Sequence, residues 1–541
     1  MPQPVWPPRD AEHLLVSSAQ MATLEQQLFA SGLPVEALME KAALAVARRL
    51  EQPDWWPQLQ QRGALVLVGP GHNGGDGLVV ARELHLAGIA VRIWSPFERH
   101  KPLTAAHLRH ASWLGIAALD HPPDPGDRAV WIDALFGIGQ SHPPGEALET
   151  LLERRQQQQP NRLIAIDGPT GLCADSGQPL GRVAACAALS LSIGLLKQGF
   201  LQDSALAWVG RLERIELGLP APLLDDLPAD QPLALSPCDL ASAPWPQLPA
   251  AASKYQRGRL LVIAGSAAYR GAAQLCLQGA SASGAGSLRA ALPQPLTDQI
   301  WSVQPHVVVS AALASHPSGS LNLSDLNAAA ALERLDAVVL GPGLGATTEA
   351  EAAAEAGIWQ PLQRFPGLLL LDADGLNRLA RLGATPWLKG RQGPTWITPH
   401  RGEFARLFPE LAEAPALLAA QAAARQCSSC HPCSVLLKGA RTVIATGDGR
   451  RWQLREACSA AARAGLGDVL AGYAGGLAAR GGGDAALLAT SALAHAHAGL
   501  QAAQQRGQGG ADPMTVGQQL QNQELNTDQA AQNVLQPPTN T

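Results

Sequence analysis

The sequence predicts a two-domain α/β protein, each domain carrying a parallel sheet whose strand ends form a ligand edge. Three observations predict it. The chain has 541 residues, too many for one ordinary domain of about 150. Short apolar runs followed at once by a Gly-rich or polar turn recur in both halves, as strands feeding the binding edge of a parallel sheet do. Between the halves, residues 217–252, "LGLPAPLLDDLPADQPLALSPCDLASAPWPQLPAAA", are dense in Pro and Ala without sustained periodicity and read as a linker.

Composition narrows the function classes. Hydrophobic residues make up 46% and charged residues 16%, enough for two buried cores and unlike a disordered or fibrous chain. A net charge of −5 gives no electrostatic case for nucleic acid or an anionic membrane. No apolar run approaches the ~20 residues of a membrane span. The start "MPQPVWPPRDAEH" lacks the basic-then-apolar pattern of a signal peptide, so a cytoplasmic protein is expected. The eight cysteines are scattered, except for Cys427, Cys430 and Cys433 in "CSSCHPC". Without a fourth ligand at a recognisable spacing, that cluster reads as a reduced surface loop rather than a metal site.

Taken in order, residues 1–13 are a Pro-rich lead-in, and Val16–Leu50 carries helical spacing broken at Gly32–Pro34, giving two helices. "GALVLVGPGHNGGDGLVVARELHLAGIAVRIWS" reads as a strand (Ala64–Val68), a Gly-rich turn, a helix (Leu78–Ala87) and a second strand (Val91–Trp94). Gly69, Gly71 and Gly74 satisfy G-x-G-x-x-G. The second strand, however, ends Trp94-Ser95-Pro96 without the acidic residue that a dinucleotide fold aims at the ribose, so hydride transfer loses its support. On the turn "HNGGDG", Asn73 and Asp76 are the side chains able to orient a ligand. The strand "AVWID" delivers Asp133, and after a helix (Gly145–Gln157) "RLIAID" delivers Asp167 in "DGPTGL", with Thr170 beside it. Carboxylate, amide and hydroxyl oxygens converging on one sheet edge suit a hard cation.

In the second half the same grammar recurs five times, ending at Ser266, Gly345, Asn377, His400 and Lys438. It is followed by "AGLGDVLAGYAGG", Ala464–Gly476. Gly465 and Gly467 free the backbone to point successive N–H groups at one anion from the start of a helix, and Asp468 falls in that helix's first turn, where a carboxylate can take a proton from a hydroxyl receiving a phosphoryl group. Lys438 and Arg441 offer charge to polyphosphate. Asp372 and Asp374 position a cation or water, with an N-cap for a helix from Leu376 as the alternative for Asp374. His400, after a strand end and a Pro, is a better ligand candidate than His495 or His497 in an Ala-rich helix. Residues from Gly507 are Gln- and Asn-rich, with one last helix in "GGADPMTVGQQLQ".

The motifs "LMEKAA", "GPGHNGGDG", "IDALFGIG", "IDGPTGL" and "LSIGLLKQG" resemble the YjeF N-terminal family, the NAD(P)H-hydrate epimerases, across Val16–Gly218. That resemblance implies a Rossmann-like three-layer domain that interconverts the R and S hydrates of NADH or NADPH and carries K⁺. It makes Asn73, Asp133 and Thr170 the potassium ligands. It makes His72, Asn73, Gly74, Gly75 and Asp76, the loop Gly137, Ile138, Gly139, Gln140, Ser141, His142 and Pro143, and Asp167 the contacts to the hydrated nucleotide, with Asp167 catalytic. His72 and Lys41 stand where the family usually has Asn, and Thr170 replaces the commoner Ser.

"LLVIAGSAAYRGAAQL", "SGAGSLRAA", "GPGLG", "DADGLN", "TPHRGE", "LKGART" and "GLGDVLAG" resemble, in order and spacing, the ribokinase-like NAD(P)H-hydrate dehydratases over Lys254–Arg506. This implies that Lys438, Gly439, Ala440, Arg441, Thr442 and Gly467 bind an adenine nucleotide, while Ala272, Gly343, His400 and Asp468 contact the hydrated substrate, Asp468 being catalytic. ADP with Mg²⁺ is the implied phosphoryl donor, leaving AMP and phosphate, although the residues alone do not separate ADP from ATP. Leu466 stands where the family usually has Thr, and Ser253 where a His is usual.

The resulting domain expectation is an epimerase domain over 1–217, a linker over 218–252, a dehydratase domain over 253–522 and a disordered tail over 523–541. Partners are the NADH and NADPH hydrates and adenine nucleotide, in a homo-oligomer. The second reading is a ribokinase-like small-molecule kinase beside a non-catalytic nucleotide-binding module.

Overall fold

Apolar runs separated by helical segments assemble into two large sheets, one in each of two units of the computed structural model, which describes residues 6–326 and 332–524. One unit spans Arg9–Pro232, and the other runs from Leu233 onward together with the described residues before Arg9.

In the first unit the predicted pair of helices is α1 (Ser18–Ala30) and α2 (Val35–Leu50). Gly32 between them has φ +100°, a conformation that ends the first helix and that only glycine takes readily. The strands of one seven-stranded sheet follow: β1 (Ala64–Val68), β2 (Val91–Trp94), β3 (Ala117–Leu119), β4 (Val130–Ala134), β5 (Leu163–Ile166), β6 (Leu189–Ile193) and β7 (Arg211–Ile215). They lie in the order β3-β2-β1-β4-β5-β6-β7, every pairing parallel. All five residues of β1 and of β4 are buried, which is why these runs read as continuous apolar stretches rather than alternating ones.

The Gly-rich stretch after β1 differs from the turn its composition predicts. Helix α3 (His72–Leu86) begins at His72 with Gly71 as its N-cap, so Asn73 and Asp76 ride on its first two turns. A Cβ on Gly74 would lie 2.0 Å from the carbonyl oxygen of Gly69. The bare residue therefore lets the helix start press directly onto the end of β1.

The described residues of the second unit form ten strands: β8 (Leu233–Leu235), β9 (Arg259–Ile263), β10 (Ser287–Pro293), β11 (Val308–Leu313), β12 (Ala337–Leu340), β13 (Leu368–Leu371), β14 (Thr395–Ile397), β15 (Cys433–Leu437), β16 (Val443–Thr446) and β17 (Arg451–Leu454). Their order is β8-β17-β16-β15-β14-β13-β12-β9-β10-β11. Only β15–β16 and β16–β17 pair antiparallel, as hairpin connections allow. Helices α4 (Arg270–Ala282), α5 (Ala373–Leu382), α6 (Arg401–Leu407), α7 (Leu466–Gly481) and α8 (Ala485–Arg506) are built between and after these strands. α4 and α7 cross backbone to backbone. A Cβ on Gly279 would lie 2.0 Å from the Val469 carbonyl oxygen, and one on Gly472 would lie 1.8 Å from that of Cys276.

Four boundaries depart from the sequence reading. The 218–252 segment is not an irregular linker throughout, because Leu233–Leu235 pairs in parallel with Arg451–Leu454 as an edge strand. Three apolar residues suffice once an unpaired edge is available, and a composition averaged over the whole stretch hides them. The lead-in is not free at Trp6, which is buried. Cys427 and Cys433 are buried at the end of a helix and the start of β15, leaving only Cys430 of the predicted surface loop exposed. Finally, Gln523 is buried and Glu524 pairs with Arg480 at 3.0 Å, so these two residues are held by the unit; the rest of the expected tail, 525–541, lies outside the described residues.

Candidate active sites

In the first unit a cavity of about 410 Å³ opens at the C-terminal ends of β1, β4 and β5. His72, Asn73 and Asp76 line it from α3, Gly137–Gln140 from the loop after β4, and Asp167 from the end of β5. Asp167 is a non-glycine residue held at φ +63°, a strained backbone of the kind that persists where its surroundings enforce it. Its Oδ1 accepts from Lys197 Nζ at 2.8 Å and from the Ile193 amide at 3.3 Å, and its Oδ2 accepts from the Ile138 amide at 3.3 Å. Lys197 is wholly buried and also donates to the Ile193 carbonyl at 2.6 Å. Burial, followed by the charges of Asp167 and Glu25, drives the Asp76 carboxyl well above the usual carboxylate range. Burial and Asp167 also raise Glu25, which lines the same cavity from α1.

Behind the cavity lies a corner of oxygen atoms. Asp133 is completely buried and accepts from the Thr170 amide at 2.9 Å, the Thr170 hydroxyl at 2.8 Å and the Leu135 amide at 3.2 Å. Burial outweighs these bonds and lifts its carboxyl to about 6. The Asn73 side chain is buried, and among the described residues neither its amide oxygen nor its nitrogen is hydrogen-bonded. A Cβ on Gly137 would lie 3.5 Å from Asn73 Cβ and 3.2 Å from Asp167 Oδ2, so one side-chain-free residue separates these two groups. A buried carboxylate and an unpartnered amide oxygen fit a hard cation, whose charge would offset the cost of burying Asp133.

Ser141, His142 and Pro143 are not among the residues lining the cavity; Ser141 and His142 are exposed and bond to each other at 2.9 Å. Gly74 and Gly75 lie beneath it as packing positions, a Cβ on Gly75 meeting Met39 at 2.7 Å. The sequence reading missed Glu25 and Lys197. Lys197 stood inside a motif already singled out, and it is one of only six lysines.

In the second unit the ends of β13, β14 and β15 meet the N-terminus of α7. Lys438 Nζ donates to Asp372 Oδ1 at 2.5 Å, and Thr398 donates to the same oxygen at 2.9 Å. A Cβ on Gly467 would lie 3.3 Å from Lys438 Nζ and 3.9 Å from Asp372 Oδ2, so the ammonium stands directly at the first turn of α7. Gly465, at φ +90°, caps that helix. Burial and then Asp372 push the Asp468 carboxyl up to about 7, with Lys438 opposing. Burial alone would lower the Lys438 ammonium, but Asp372 and Glu403 outweigh it and raise it.

Asp372 is itself the N-cap of α5, so that helix starts at Ala373 and Asp374 lies in its first turn rather than capping a later one. Asp374 Oδ2 accepts from the Gly345 amide at 2.8 Å. His400 caps α6: its Nδ1 accepts from the Gly402 amide at 3.0 Å while Nε2 faces Glu403 at 3.2 Å. It sits beside Lys438, whose amide donates to the Pro399 carbonyl at 2.8 Å. Ala272 and Gly343 also adjoin, since a Cβ on Gly343 would lie 2.5 Å from that of Ala272.

Arg441 departs from expectation. It is buried, with Nε donating to the Arg455 carbonyl at 2.9 Å, while Gly439 and Ala440 are exposed and the Thr442 hydroxyl donates to Gly439 at 3.3 Å. The ranking of histidines shifts too. His495 reaches the backbone of Leu466 at the α7 start, its Nε2 is buried without a partner, and burial holds it down to about 4. Among the described residues no three His, Cys, Asp or Glu side chains converge on a metal position.

Two family models match the chain. That described as NAD(P)H-hydrate dehydratase matches residues 260–522, and that described as YjeF-related protein N-terminus matches residues 35–199. A bifunctional NAD(P)H-hydrate repair enzyme of Synechocystis is 41% identical over 497 residues, covering 91% of each chain. One from Gloeobacter violaceus is 41% identical over 469 residues, covering 86% of this chain and 88% of its own. Among solved structures, an ADP/ATP-dependent NAD(P)H-hydrate dehydratase of Bacillus subtilis aligns with 54% of this chain and 97% of its own at a TM-score of 0.43 and 22% identity.

Proposed function

The chain belongs to the family of bifunctional NAD(P)H-hydrate repair enzymes, and from that premise we propose that its first unit epimerises hydrated NADH and NADPH while its second dehydrates the S form at the expense of a nucleotide. One observation carries the dehydratase reading: a Lys438–Asp372 pair stands at the Gly465–Gly467 turn opposite a carboxyl, Asp468, poised near neutrality. A hydroxyl on the ring carbon is a poor leaving group. Asp468 takes its proton as it attacks the terminal phosphorus of the donor, and the Gly467 backbone with Lys438 holds the transferred phosphoryl group. The ring nitrogen's lone pair then expels phosphate, and loss of a ring proton restores the dihydronicotinamide. ADP is the donor in this reading. Mg²⁺ would arrive on its phosphates, with Asp372 able to complete the coordination, as such sites use one or two carboxylates.

For the epimerase, Asp76 supplies the proton that lets the ring nitrogen expel the hydroxyl as water, and Asp167, held by Lys197, takes a proton from the water that returns to the other face. Neighbouring carboxyl groups in opposite protonation states divide acid from base in this way. K⁺ would be held by Asn73, Asp133 and Thr170, where it supplies the counter-charge that Asp133 lacks and fixes the loop carrying Gly137. The contacts in this reading are His72, Asn73, Asp76, Gly137–Gln140 and Asp167 in the first unit, and Ala272, Gly343, His400 and the Lys438–Thr442 loop in the second. The cytoplasm, where these cofactors turn over, is the compartment the repair serves.

The test is to supply mixed R and S hydrates of NADPH with Mg²⁺, K⁺ and either ADP or ATP and to follow the return of dihydronicotinamide absorbance. Complete recovery is expected, faster with ADP. Recovery that stops at the S fraction removes the epimerase reading, and none with either nucleotide removes the dehydratase.

A further inference from the structure

A second cavity in the second unit, of about 450 Å³, lies between the Gly345–Thr347 loop after β12 and the outer turns of α5 and α6. Two guanidinium groups line it, those of Arg381 and Arg406. Among the described residues neither has an acidic partner. Arg381 donates to the carbonyl and hydroxyl of Thr347 at 2.5 and 3.0 Å, and Arg406 donates to the amide oxygen of Asn377. A third, Arg378, is already neutralised from behind by the buried Glu355 at 2.7 Å.

The one carboxylate in the wall is occupied: Asp374 accepts from the Gly345 amide at 2.8 Å and from the Asn377 amide nitrogen at 3.2 Å. That second bond fixes the Asn377 amide so that its oxygen faces Arg406. Each cationic head is thus held by neutral acceptors, which orient it without cancelling its charge. Such a pair is built for a planar or tetrahedral oxyanion, and arginine's fork matches phosphate oxygens.

The cavity is continuous along the chain with the catalytic edge. Its loop begins at Gly343, beside Ala272, and α6 starts immediately after His400. α5 runs from Asp372, which holds Lys438, to Asn377 and Arg381, about 8 and 14 Å away at the rise of an α-helix. A dinucleotide whose nicotinamide ring reacts at Asp468 extends its phosphates over such distances.

We propose that Arg381 and Arg406 bind a phosphate group of the hydrated dinucleotide in the remote part of the dehydratase substrate site. The inference rests on the dehydratase reading of this unit. The phosphate is either the pyrophosphate common to both hydrates or the 2′-phosphate carried only by the NADPH form; the chemistry is the same.

The experiment compares the intact wild-type chain with Arg381→Gln/Arg406→Gln in ADP-dependent dehydration of S-NADHX and S-NADPHX, with calorimetric titration of NADPH and NADH in parallel. The double variant is expected to raise KM for the dinucleotide roughly ten- to hundredfold while kcat and KM for ADP stay within about twofold. A loss shared by both hydrates assigns the pyrophosphate, and a loss confined to NADPHX assigns the 2′-phosphate. Unchanged KM for both hydrates overturns the proposal. Should the wild type dehydrate neither hydrate, the dehydratase reading falls, and the titrations decide the cavity alone. NADPH binding weakened by the double variant then sustains an anion site there, and identical isotherms overturn it.

Discussion

Replacing Asp468 by Asn removes the proposed base without changing side-chain shape, and its effects on rate and on stability are expected to have opposite signs. Burial and Asp372 lift this carboxyl from its ordinary 3.8 to about 7. Above neutrality the folded chain must keep it charged where it prefers to be neutral. About three pKa units at 1.36 kcal/mol each set an upper bound near 4 kcal/mol on that cost. The side chain is not fully enclosed, so about 2 kcal/mol is the working figure. The sign follows from linkage. The folded value lies above the unfolded one, so the group's contribution is fully present below pH 4 and is lost as pH rises through about 7.

The neutral amide of the Asp468→Asn variant would escape that loss. The measurement is urea unfolding of both proteins at pH 5 and pH 8, reading the transition that added ADP shifts to higher denaturant. Part of that loss has already accrued at pH 5, so the advantage of D468N should widen by about 1 kcal/mol between the two pH values, while dehydration falls by about 10²–10⁴-fold. Equal gaps at both pH values, or a variant less stable at pH 8, would refute the account of Asp468 as a charge held against its environment.

Other expectations are more local. Wild-type dehydratase kcat/KM should rise with pH through about 7, the value at which the Asp468 base becomes free. Lys438→Met removes the charge that opposes the rise in that carboxyl, so the midpoint of the same profile should move to higher pH; an unmoved midpoint argues against contact between them. Lys197→Met leaves Asp167, half-buried at the cavity wall, without its ammonium. It should cost about 3–5 kcal/mol in stability of the first unit and abolish epimerisation with dehydration of the S hydrate intact. Exchanging K⁺ for Li⁺ should slow epimerisation in the wild type but leave Asn73→Ala, already slow, nearly indifferent. Gly472→Val forces a branched side chain against a carbonyl 1.8 Å from its Cβ and should destabilise the second unit by well over the ~1–3 kcal/mol typical of overpacking, as read from its melting temperature.

Much of both sites was legible because their residues are punctuation. Asp133, Asp167, His400 and Lys438 each end an apolar run, and a parallel sheet sends all its strand ends to one edge. The less legible parts depend on partners far away in the chain. Nothing local to "TLEQQLFA" marks Glu25 as facing Asp76, and nothing in "LLLLDAD" marks Asp372 as the counter-ion of a lysine 66 residues later. Arg441 eludes a local reading for the same reason: a cation beside a glycine reads as a solvent-facing phosphate ligand, whereas the carbonyl of Arg455 on the neighbouring hairpin draws it inward. His495 escapes notice because an Ala-rich helix offers no cue to which of its faces meets another helix's N-terminus. The strand Leu233–Leu235 could not be separated from its Pro-rich surroundings, since its only justification is the free edge of β17.

The position of Trp6 bears on the order in which the chain can mature. Its indole donates to the Asp239 carbonyl, its own carbonyl accepts from Trp452, and it is counted with the unit that begins at Leu233. Trp6 therefore awaits partners synthesised more than two hundred and more than four hundred residues later. Meanwhile the Arg9–Pro232 unit can close on itself, because the Leu15 amide bonds the Pro232 carbonyl and Arg9 reaches the carbonyls of Leu227 and Pro228. Topologically the epimerase unit is a loop set into the dehydratase unit. A break in the peptide near residue 9 would leave the Arg9–Pro232 unit whole and strip Trp6 from the other.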